Sequence, residues 1–247
     1  MTPITLRSDI LVMPVAACGG DWLVADTARV VKPGSANSGE RPATQADAKL
    51  IHDLVTLRHG SPFQHGAMVF YVEAPIFVFR EWRTHKVLMH QTVDDMGYNE
   101  SSARYRPLRS EFWVPEPVRP IYKTEKYKPM RPTGAAASDH DYRLIVDEMT
   151  MEYQSQWDSY ERMLAAGVLP EVARSVIGTG VYAAMYVTCN ARSAMHFCSL
   201  RVNSPDSAVP TFPQAEIEVA ARALEKVLSA GWPITHKEWV DNGRRSI

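Results

Sequence analysis

The sequence has no apolar run approaching the roughly 18 residues that span a membrane, and Met1–Arg7 lacks the pattern of a signal peptide. It has only three cysteines, Cys18, Cys189 and Cys198, an odd number without the pairing of a zinc site. Its net charge is only −1, which gives no support for a chain that binds nucleic acid over its whole surface. We therefore expect a cytoplasmic protein with neither a membrane nor a nucleic acid as its partner.

Motifs of several common chemistries are also absent. There is no His-Glu-x-x-His sequence, and the pairs His52/His59 and His85/His90 lack helical ligand spacing, so no metal site is predicted. No Gly-x-Ser-x-Gly, Walker or Gly-x-Gly-x-x-Gly sequence occurs. The cysteines lie in apolar contexts, where an unperturbed thiol is expected. A dinucleotide would have to be held by a dispersed set of residues.

What the chain does contain is a large apolar fraction, 45% of 247 residues, enough to bury a sizeable core. We predict a single domain over residues 1–247. Runs of β-branched and aromatic residues predict strands, and apolar stripes at helical spacing predict several helices, the longest over 139–166. Because the few strands do not alternate regularly with the helices, we expect an α+β fold with a small, mostly antiparallel sheet.

Helix boundaries are predicted from capping residues. Asp21 is expected to cap a short helix through Val30, and Thr44 with Asp47 forms a capping-box-like start. Ser138 and Asn190 are expected to cap the long helix and a helix over 191–200. The last helix is predicted to end at Gly231.

Residues 107–132 form a connection rich in proline and in basic side chains. From Arg104 to Arg131 there are eight Lys or Arg against three acids, and six prolines lie between Pro107 and Pro132. The charge alone is compatible with an RNA-binding loop. Proline prevents regular structure and charge keeps a segment solvated, so we favour an extended connection.

The densest group of functional candidates lies between Arg80 and Arg109. Residues 98–105, Tyr-Asn-Glu-Ser-Ser-Ala-Arg-Tyr, place hydroxyl groups and an arginine between two aromatic side chains, and Arg83, His85 and Lys86 form a cationic cluster upstream. Hydroxyl groups and a guanidinium can donate hydrogen bonds to phosphate oxygens. A ligand with several anionic or carbonyl groups, such as a nucleotide or a flavin, would match both clusters. A solvated basic loop matches them equally well.

The order of these blocks resembles the flavin-dependent thymidylate synthases, whose signature is Arg-His-Arg, seven residues, then Ser-x-Arg. His85-Lys86 and the block 98–105 resemble it, as do Ala74–Trp82 and Ser61–His65. Glu171–Arg174 and Asn190–Arg201 follow in the family's order. Several spaced blocks in one order are far more specific than one short motif, and the similarity covers residues 50 to 232.

The signature is altered and lengthened here, as in a divergent member. Thr84-His85-Lys86 stands where the family has Arg-His-Arg, and fifteen residues instead of seven separate Lys86 from Ser102. The eight extra residues predict an extended loop at 87–97. Glu81 stands at the position of a family glutamine that contacts the nucleotide, and His196 at that of an asparagine that contacts the flavin.

The resemblance implies an enzyme that uses FAD, NADPH and methylenetetrahydrofolate to methylate dUMP, as a homotetramer with shared active sites. It assigns dUMP to Glu81, Glu100, Ser101, Ser102, Ala103, Arg104, Arg174 and Arg201. It assigns FAD to Ser61, Thr84, His85, Lys86, Asn99, Glu100, Asn190, Arg192 and His196. Arg201 matches the catalytic arginine that activates the uracil ring, and Arg174 is expected to reach the phosphate from a neighbouring subunit. The alternative is a regulatory or catalytically impaired protein that binds FAD or dUMP without turnover.

Overall fold

The computed structural model describes residues 2–31, 39–84, 98–104, 106–124, 126, 128 and 134–247. They form two compact units, each assembled from separate stretches of the chain. Unit 1 contains Met1–Leu11, Glu73–Trp82 and Asn99–Met185, and unit 2 contains Val12–Val72, Arg83–Tyr98 and Tyr186–Ile247.

The strands are β1 (Thr5–Arg7), β2 (Leu11–Cys18), β3 (Ala67–Pro75), β4 (Tyr98–Glu100), β5 (Glu111–Trp113), β6 (Tyr122–Lys123), β7 (Gly134–Ala135) and β8 (Tyr182–Cys189). The helices are α1 (Asp21–Ala28), α2 (Gln45–Thr56), α3 (Ile76–Arg83), α4 (Asp139–Ala165), α5 (Pro170–Ala173), α6 (Ala191–Arg201), α7 (Ala215–Gly231) and α8 (Pro233–Asp241). Short 3-10 turns cover Arg29–Val31, Ser61–Gln64 and Arg174–Val176. Within the described ranges, no helix is both long and apolar enough to cross a membrane.

The largest sheet has the strand order β2-β3-β8-β4. β6 and β7 pair antiparallel, whereas β1 and β5 pair in parallel with Leu6 opposite Phe112. Along β3, buried and half-buried side chains alternate, because successive residues point to opposite faces and one face is packed. An antiparallel sheet combined with many helices confirms the predicted α+β class.

Unit 1 is built around α4, which spans 27 residues and begins after Ser138 as predicted. The Ser138 hydroxyl accepts a hydrogen bond from the Asp141 N–H at 3.1 Å. The rings of Phe112 and Tyr153 stack with centroids 4.7 Å apart, and Trp157 is buried in the same cluster. The apolar stripe in the first half of α4 is only half-buried in the single chain; its residues are Tyr142, Ile145, Val146 and Met149.

Unit 2 is a helical layer in which α1, α2, α6, α7 and α8 pack on one another. Ile51, Phe197, Leu224 and Trp239 are fully buried between these helices. Burial of an aliphatic or aromatic side chain of this size contributes about 1.5–3 kcal/mol, so this layer has a substantial core of its own. The capping box predicted for α2 is confirmed.

The prediction that Asp21 caps α1 is wrong. Gly20 occupies the N-cap position of α1, and Asp21 is its first residue. The Asp21 carboxylate instead accepts hydrogen bonds from the N–H groups of Ile234 (2.8 Å) and Thr235 (2.9 Å), and from the Thr235 hydroxyl (2.7 Å). A carboxylate there satisfies N–H groups that have no partner within the helix. Asp21 therefore caps α8, a helix that the sequence analysis did not predict.

Candidate functional site

The segment that follows β4 carries most of the predicted nucleotide residues, and it is anchored to β8 in unit 1. The Ser101 N–H donates to the Ala184 carbonyl at 2.9 Å, and the Ala184 N–H donates to the Ser101 hydroxyl at 3.1 Å. The Ser101 hydroxyl thus accepts a hydrogen bond from β8 that a backbone carbonyl accepts in a regular sheet. These two hydrogen bonds fix the point at which the chain leaves the sheet.

A tight turn follows at Ala103. Its φ of 53° lies in the left-handed region, which costs a non-glycine residue roughly 1–2 kcal/mol. The Arg104 N–H points back to the Ser102 hydroxyl at 3.4 Å. Ser102 and Arg104 are both exposed, so the turn presents a hydroxyl and a guanidinium together, as an oxyanion site requires.

Arg174 reaches this turn from the 3-10 turn after α5. Its Nη1 donates to the Ser102 carbonyl oxygen, and Arg104 Nε lies 2.8 Å from Glu171 Oε2. We expected Arg174 to reach the phosphate residues from a neighbouring subunit. Within one chain the structure brings Arg174 and Ser102 together, because the segments that carry them both fold into unit 1. The contact from a neighbouring subunit stays a prediction. Glu171 was not in the predicted set, although its place in the Glu-Val-Ala-Arg block was a usable signal.

The other predicted residues of unit 1 lie on two elements. Glu81 is half-buried on α3, and Glu100 is half-buried at the end of β4. Asn99 precedes Glu100 on the same strand and is exposed. Two half-buried carboxylates therefore belong to the same unit as the arginine-bearing turn.

In unit 2, the predicted flavin residues gather around the start of α6. Asn190 is buried and caps this helix as predicted, with its Oδ1 accepting from the Ser193 N–H at 2.9 Å. The Arg192 guanidinium lies against Gly60, where a Cβ atom would be 2.5 Å from its Nε. Only glycine permits this approach, and Ser61 is the next residue. The Arg192 guanidinium therefore lies beside the residue that precedes Ser61.

His196 lies one turn beyond Arg192 on α6 and is half-buried. Burial, and secondly the charge of Arg192, hold the pKa of His196 below its usual value, so the ring is neutral near pH 7. Its Nδ1 forms a hydrogen bond with the Ser246 hydroxyl, and Arg192 Nε donates to the main-chain oxygen of Ile247 at 2.8 Å. Ser246 and Ile247 were not predicted, since nothing local in the sequence pairs them with α6.

Arg201, the predicted catalytic residue, is half-buried at the last position of α6. One helix therefore carries Arg201 and, with its cap, three predicted flavin positions. The predicted dUMP residues other than Arg201 belong to unit 1. Among the described FAD residues, Asn99 and Glu100 belong to unit 1 and the others to unit 2.

The altered signature segment is described only at its ends. Thr84 is exposed at the end of α3. The Arg83 guanidinium carbon lies 4.9 Å from the centroid of the Tyr98 ring, a cation–π contact between two residues of unit 2. His85, Lys86 and the predicted loop at 87–97 lie outside the described residues.

Neither a metal cluster nor an activated thiol accompanies these groups. In the described part of the chain, no three His, Cys, Asp or Glu side chains are grouped so that they could hold a metal ion. Cys189 and Cys198 are buried, and burial raises the pKa of Cys189 to about 12 and that of Cys198 well above its usual value. Both are therefore neutral thiols near pH 7, with pKa values raised by burial where the sequence analysis expected unperturbed ones.

Comparisons with known proteins show which family the chain belongs to. A family model described as thymidylate synthase complementing protein matches residues 15–234. The flavin-dependent thymidylate synthase of Streptomyces coelicolor is 40% identical over 98% of this chain and 95% of its own length. The protein of the same name from Tropheryma whipplei is 36% identical over 99% of this chain and 97% of its own.

Solved structures give the same result. The UMP/dUMP methylase PolB from Streptomyces cacaoi, bound with 5-Br UMP, superposes with a TM-score of 0.86 at 36% identity and covers 100% of both chains. The same methylase bound with 5-Br dUMP also superposes with a TM-score of 0.86. The family model and the relatives cover nearly the whole sequence, including the segments that carry both sets of candidate residues. The chain therefore belongs to the flavin-dependent thymidylate synthase family, and it is a methyltransferase.

Proposed function

We propose that this protein converts dUMP to dTMP by reductive methylation, with methylenetetrahydrofolate as the carbon donor, NADPH as the reductant and FAD as the cofactor. The observation that carries the proposal is the turn Ser101–Arg104, which Arg174 contacts within unit 1. Hydroxyl and guanidinium groups gathered in this way suit a nucleoside monophosphate. Membership of the family supports dUMP as that nucleotide.

In this proposal Arg104, Arg174 and Ser102 hold the phosphate of dUMP. Each charge-assisted hydrogen bond to it contributes about 1.5–3 kcal/mol. Arg104 then exchanges its exposed partner Glu171 for the phosphate, which costs little because exposed ion pairs contribute only about 0–1 kcal/mol. The nucleotide set is completed by Glu81, Glu100, Ser101 and Ala103.

Arg201 is the proposed catalytic residue. C5 of uracil is a poor nucleophile until electron density is moved toward it, and a cation against the carbonyl edge of the ring stabilises the charge that develops there. Arg201 supplies such a permanent cation from the end of α6. A cysteine that attacks C6 would be the other route, and the high pKa of Cys189 and Cys198 argues against those two thiols.

The described flavin candidates fit FAD in the chemistry of their donors. Arg192 offers a guanidinium for an anionic pyrophosphate, and the amides and hydroxyls of the set offer hydrogen bonds to polar edges of a flavin. The set comprises Ser61, Thr84, Asn99, Glu100, Asn190, Arg192 and His196, and His85 and Lys86 remain predictions of the sequence. The hydride transfer belongs to the flavin, while these side chains bind and orient it.

We further propose a cytoplasmic homotetramer with shared active sites and with no nucleic-acid partner, in which each chain is a single domain. The half-buried stripe of α4 supports an assembled state. Two apolar side chains also support an assembled state, Leu169 directly before α5 and Val172 within it. They leave 61% and 53% of their surfaces exposed in the single chain. Apolar groups of this size are commonly covered by a partner subunit.

The decisive experiment combines the visible spectrum of the purified protein with an assay for dTMP. A flavin absorption band that shifts when dUMP is added, together with dTMP formation from dUMP, methylenetetrahydrofolate and NADPH, is the expected result. Flavin and dUMP binding without dTMP would favour the regulatory alternative. A colourless protein that binds no FAD would contradict the proposal.

A second candidate substrate is UMP, because a solved relative at 36% identity is named a UMP/dUMP methylase. The two nucleotides differ only in the 2′-hydroxyl, so the same phosphate residues would serve both. Parallel assays with dUMP and UMP, with kcat/KM measured for each, decide between them. We expect dUMP to be preferred, since the relatives at 36–40% identity are named thymidylate synthases.

A further inference from the structure

The segment Arg244–Ile247, which we name the C-terminal strap, contacts α6 at two of the proposed flavin residues. The Ser246 hydroxyl is hydrogen-bonded to His196 Nδ1, and the main-chain oxygen of Ile247 accepts from Arg192 Nε at 2.8 Å. The strap and α6 both belong to unit 2. The sequence motif that assigns His196 and Arg192 to the flavin does not include the strap.

The strap is held firmly at its other end. The Arg244 guanidinium is only 5% exposed, pairs with Glu225, and lies 4.6 Å from the Trp239 ring centroid. The indole N–H of Trp239 donates to the Arg245 carbonyl at 3.0 Å, and Ile247 is buried. Breaking a buried ion pair by removing one partner is strongly destabilising, so this anchor is not readily released. Ser246 and Ile247 therefore meet α6 in a defined position.

The strap forms a hydrogen bond to one nitrogen of each flavin candidate. The main-chain oxygen of Ile247 accepts from Nε of Arg192, and this contact fixes the direction in which the guanidinium extends. In an imidazole, a hydrogen bond at one nitrogen influences which nitrogen carries the proton, so the contact at Nδ1 of His196 also affects Nε2. Both contacts orient the side chain that they hold.

We propose that the C-terminal strap is a positioning element of the flavin site: Ser246 fixes the ring of His196 and the main-chain oxygen of Ile247 fixes the guanidinium of Arg192. Both side chains then meet the flavin already oriented, and less conformational freedom is lost when it binds. The inference rests on the proposed function, because it takes FAD as the ligand of these two residues. It adds Ser246 as a positioning residue that touches neither substrate nor flavin.

The test compares FAD dissociation constants for the full chain and its Ser246→Ala variant, by titration of flavin-free protein. We expect a weakening of about two- to tenfold, the effect of one lost hydrogen bond. Ser246→Thr keeps the hydroxyl and should restore the natural affinity. Ser229→Ala is the matched control, since the Ser229 hydroxyl donates only to the Lys226 carbonyl within α7. Thermal unfolding of the flavin-free variants checks that they remain folded.

Nitrogen NMR of the His196 ring in flavin-free protein supplies a readout that does not need the cofactor. Ser246→Ala should change the ring nitrogen shifts, whereas Ser229→Ala should not. Unchanged FAD affinity in Ser246→Ala, or unchanged ring shifts, overturns the inference while leaving the proposed function intact. Tighter FAD binding by Ser246→Ala than by the natural chain also overturns the inference, because the strap would then obstruct the flavin. If the natural protein binds no FAD, the proposed function and the inference both fall.

Discussion

Arg201 and Arg174 carry the same charge, but their proposed roles differ. We expect substitution of Arg201 to change kcat and substitution of Arg174 to change dUMP affinity. A preorganised charge aimed at the transition state typically contributes about 10²–10³ in rate, so Arg201→Ala should lower kcat by that factor and change dUMP affinity little. Arg174→Ala should instead weaken dUMP binding by tenfold or more, since about 1.5–3 kcal/mol of phosphate contact is lost. Steady-state kinetics beside dUMP titrations measure both quantities.

Arg222→Ala is the control for this pair, because Arg222 is an exposed arginine that forms an ion pair with Glu218 on α7. It should change neither kcat nor dUMP affinity. If Arg201→Ala loses affinity but keeps its rate, the roles of the two arginines are reversed.

The cysteines provide a second prediction at the same scale. Replacement of all three, as Cys18→Ser with Cys189→Ala and Cys198→Ala, should leave dTMP formation in place. The physical reason is that Cys189 and Cys198 are buried with raised pKa values, so neither forms a thiolate near pH 7. The assay is dTMP formation by a triple variant whose fold is verified by circular dichroism. Loss of activity in a folded triple variant would restore a cysteine mechanism.

Local hydrogen bonds were predictable from the sequence, and distant ones were not. Asn190 caps α6 through Ser193, three positions away, and this spacing is visible in the sequence. Glu171 and Arg104 are 67 positions apart, and His196 and Ser246 are 50 apart. Only the packing of the chain brings such pairs together. The Glu-Val-Ala-Arg block marked Glu171 as a candidate without indicating its partner, and no residue pattern marked Ser246.

Among the elements, α8 depends on a cap from the far end of the chain. Asp21→Ala removes acceptors from the Ile234 and Thr235 N–H groups and from the buried Thr235 hydroxyl. Buried donors left unsatisfied cost about 1–3 kcal/mol, so the free energy of unfolding should fall by about 2–3 kcal/mol. Urea unfolding measures it, with Asp53→Ala on the exposed face of α2 as the control. Equal stability of the two variants would show that the cap contributes nothing.

The same cap explains why α8 was missed in the sequence. Gly231 ends α7 and Pro233 is the first residue of α8, a position that proline favours because its missing N–H is not needed there. In the local sequence, a glycine and a proline so close together indicate the end of a helix and not the start of another. The residue that starts the new helix, Asp21, lies 213 positions before Ile234, beyond the reach of any local pattern.

The start of α2 gives a prediction about acid stability. Asp47 is buried, which raises its pKa, but hydrogen bonds from Arg41, Thr44 and Arg29 outweigh burial and hold the pKa well below its usual range. A carboxyl whose folded-state pKa is depressed adds stability above its unfolded pKa of about 3.9, and this is lost as the pH falls toward the folded value.

Asp47→Asn should therefore be less stable than the natural protein at pH 7, and its stability should fall less between about pH 5 and pH 3. Urea unfolding at several pH values measures, for each protein, how the free energy of unfolding changes with pH. Asp206→Asn, on an exposed loop, is the control and should keep the natural slope. Parallel pH profiles for Asp47→Asn and the natural chain would contradict the prediction.

For the whole molecule, the irregular succession of strands and helices predicted the α+β class and the order of the motif blocks predicted the family, but the two compact units were not predicted. Strands β2, β3, β4 and β8 each contribute residues to both units. Adjacent residues such as Tyr98 and Asn99 are thus assigned to different units. Because apolar periodicity reports which residues are buried but not which neighbours bury them, it predicted the strands without revealing this division.

The eight-residue lengthening of the signature segment also concerns the whole chain, since it separates residues of the proposed flavin and nucleotide sets. The entropy of closing a loop rises by only about 0.6 kcal/mol for each doubling of its length, so the insertion need not disturb the core. The contact between Arg83 and Tyr98 lies outside residues 87–97. We expect the altered charges to matter more than the added length, because a lysine offers a point charge where an arginine offers a planar fork of donors.

We accordingly expect the natural protein to hold FAD more weakly than a variant that lacks eight residues of 87–97 and carries Thr84→Arg and Lys86→Arg. FAD dissociation constants of both proteins, with and without dUMP, measure the difference. The shortened chain without the two arginine substitutions is the control that separates loop length from charge. Because the arginine fork can form two parallel hydrogen bonds to an anionic oxygen pair, most of the gain should require the substitutions. Equal or tighter binding by the natural protein would mean that residues 87–97 supply flavin contacts of their own, which the shortened chain has lost.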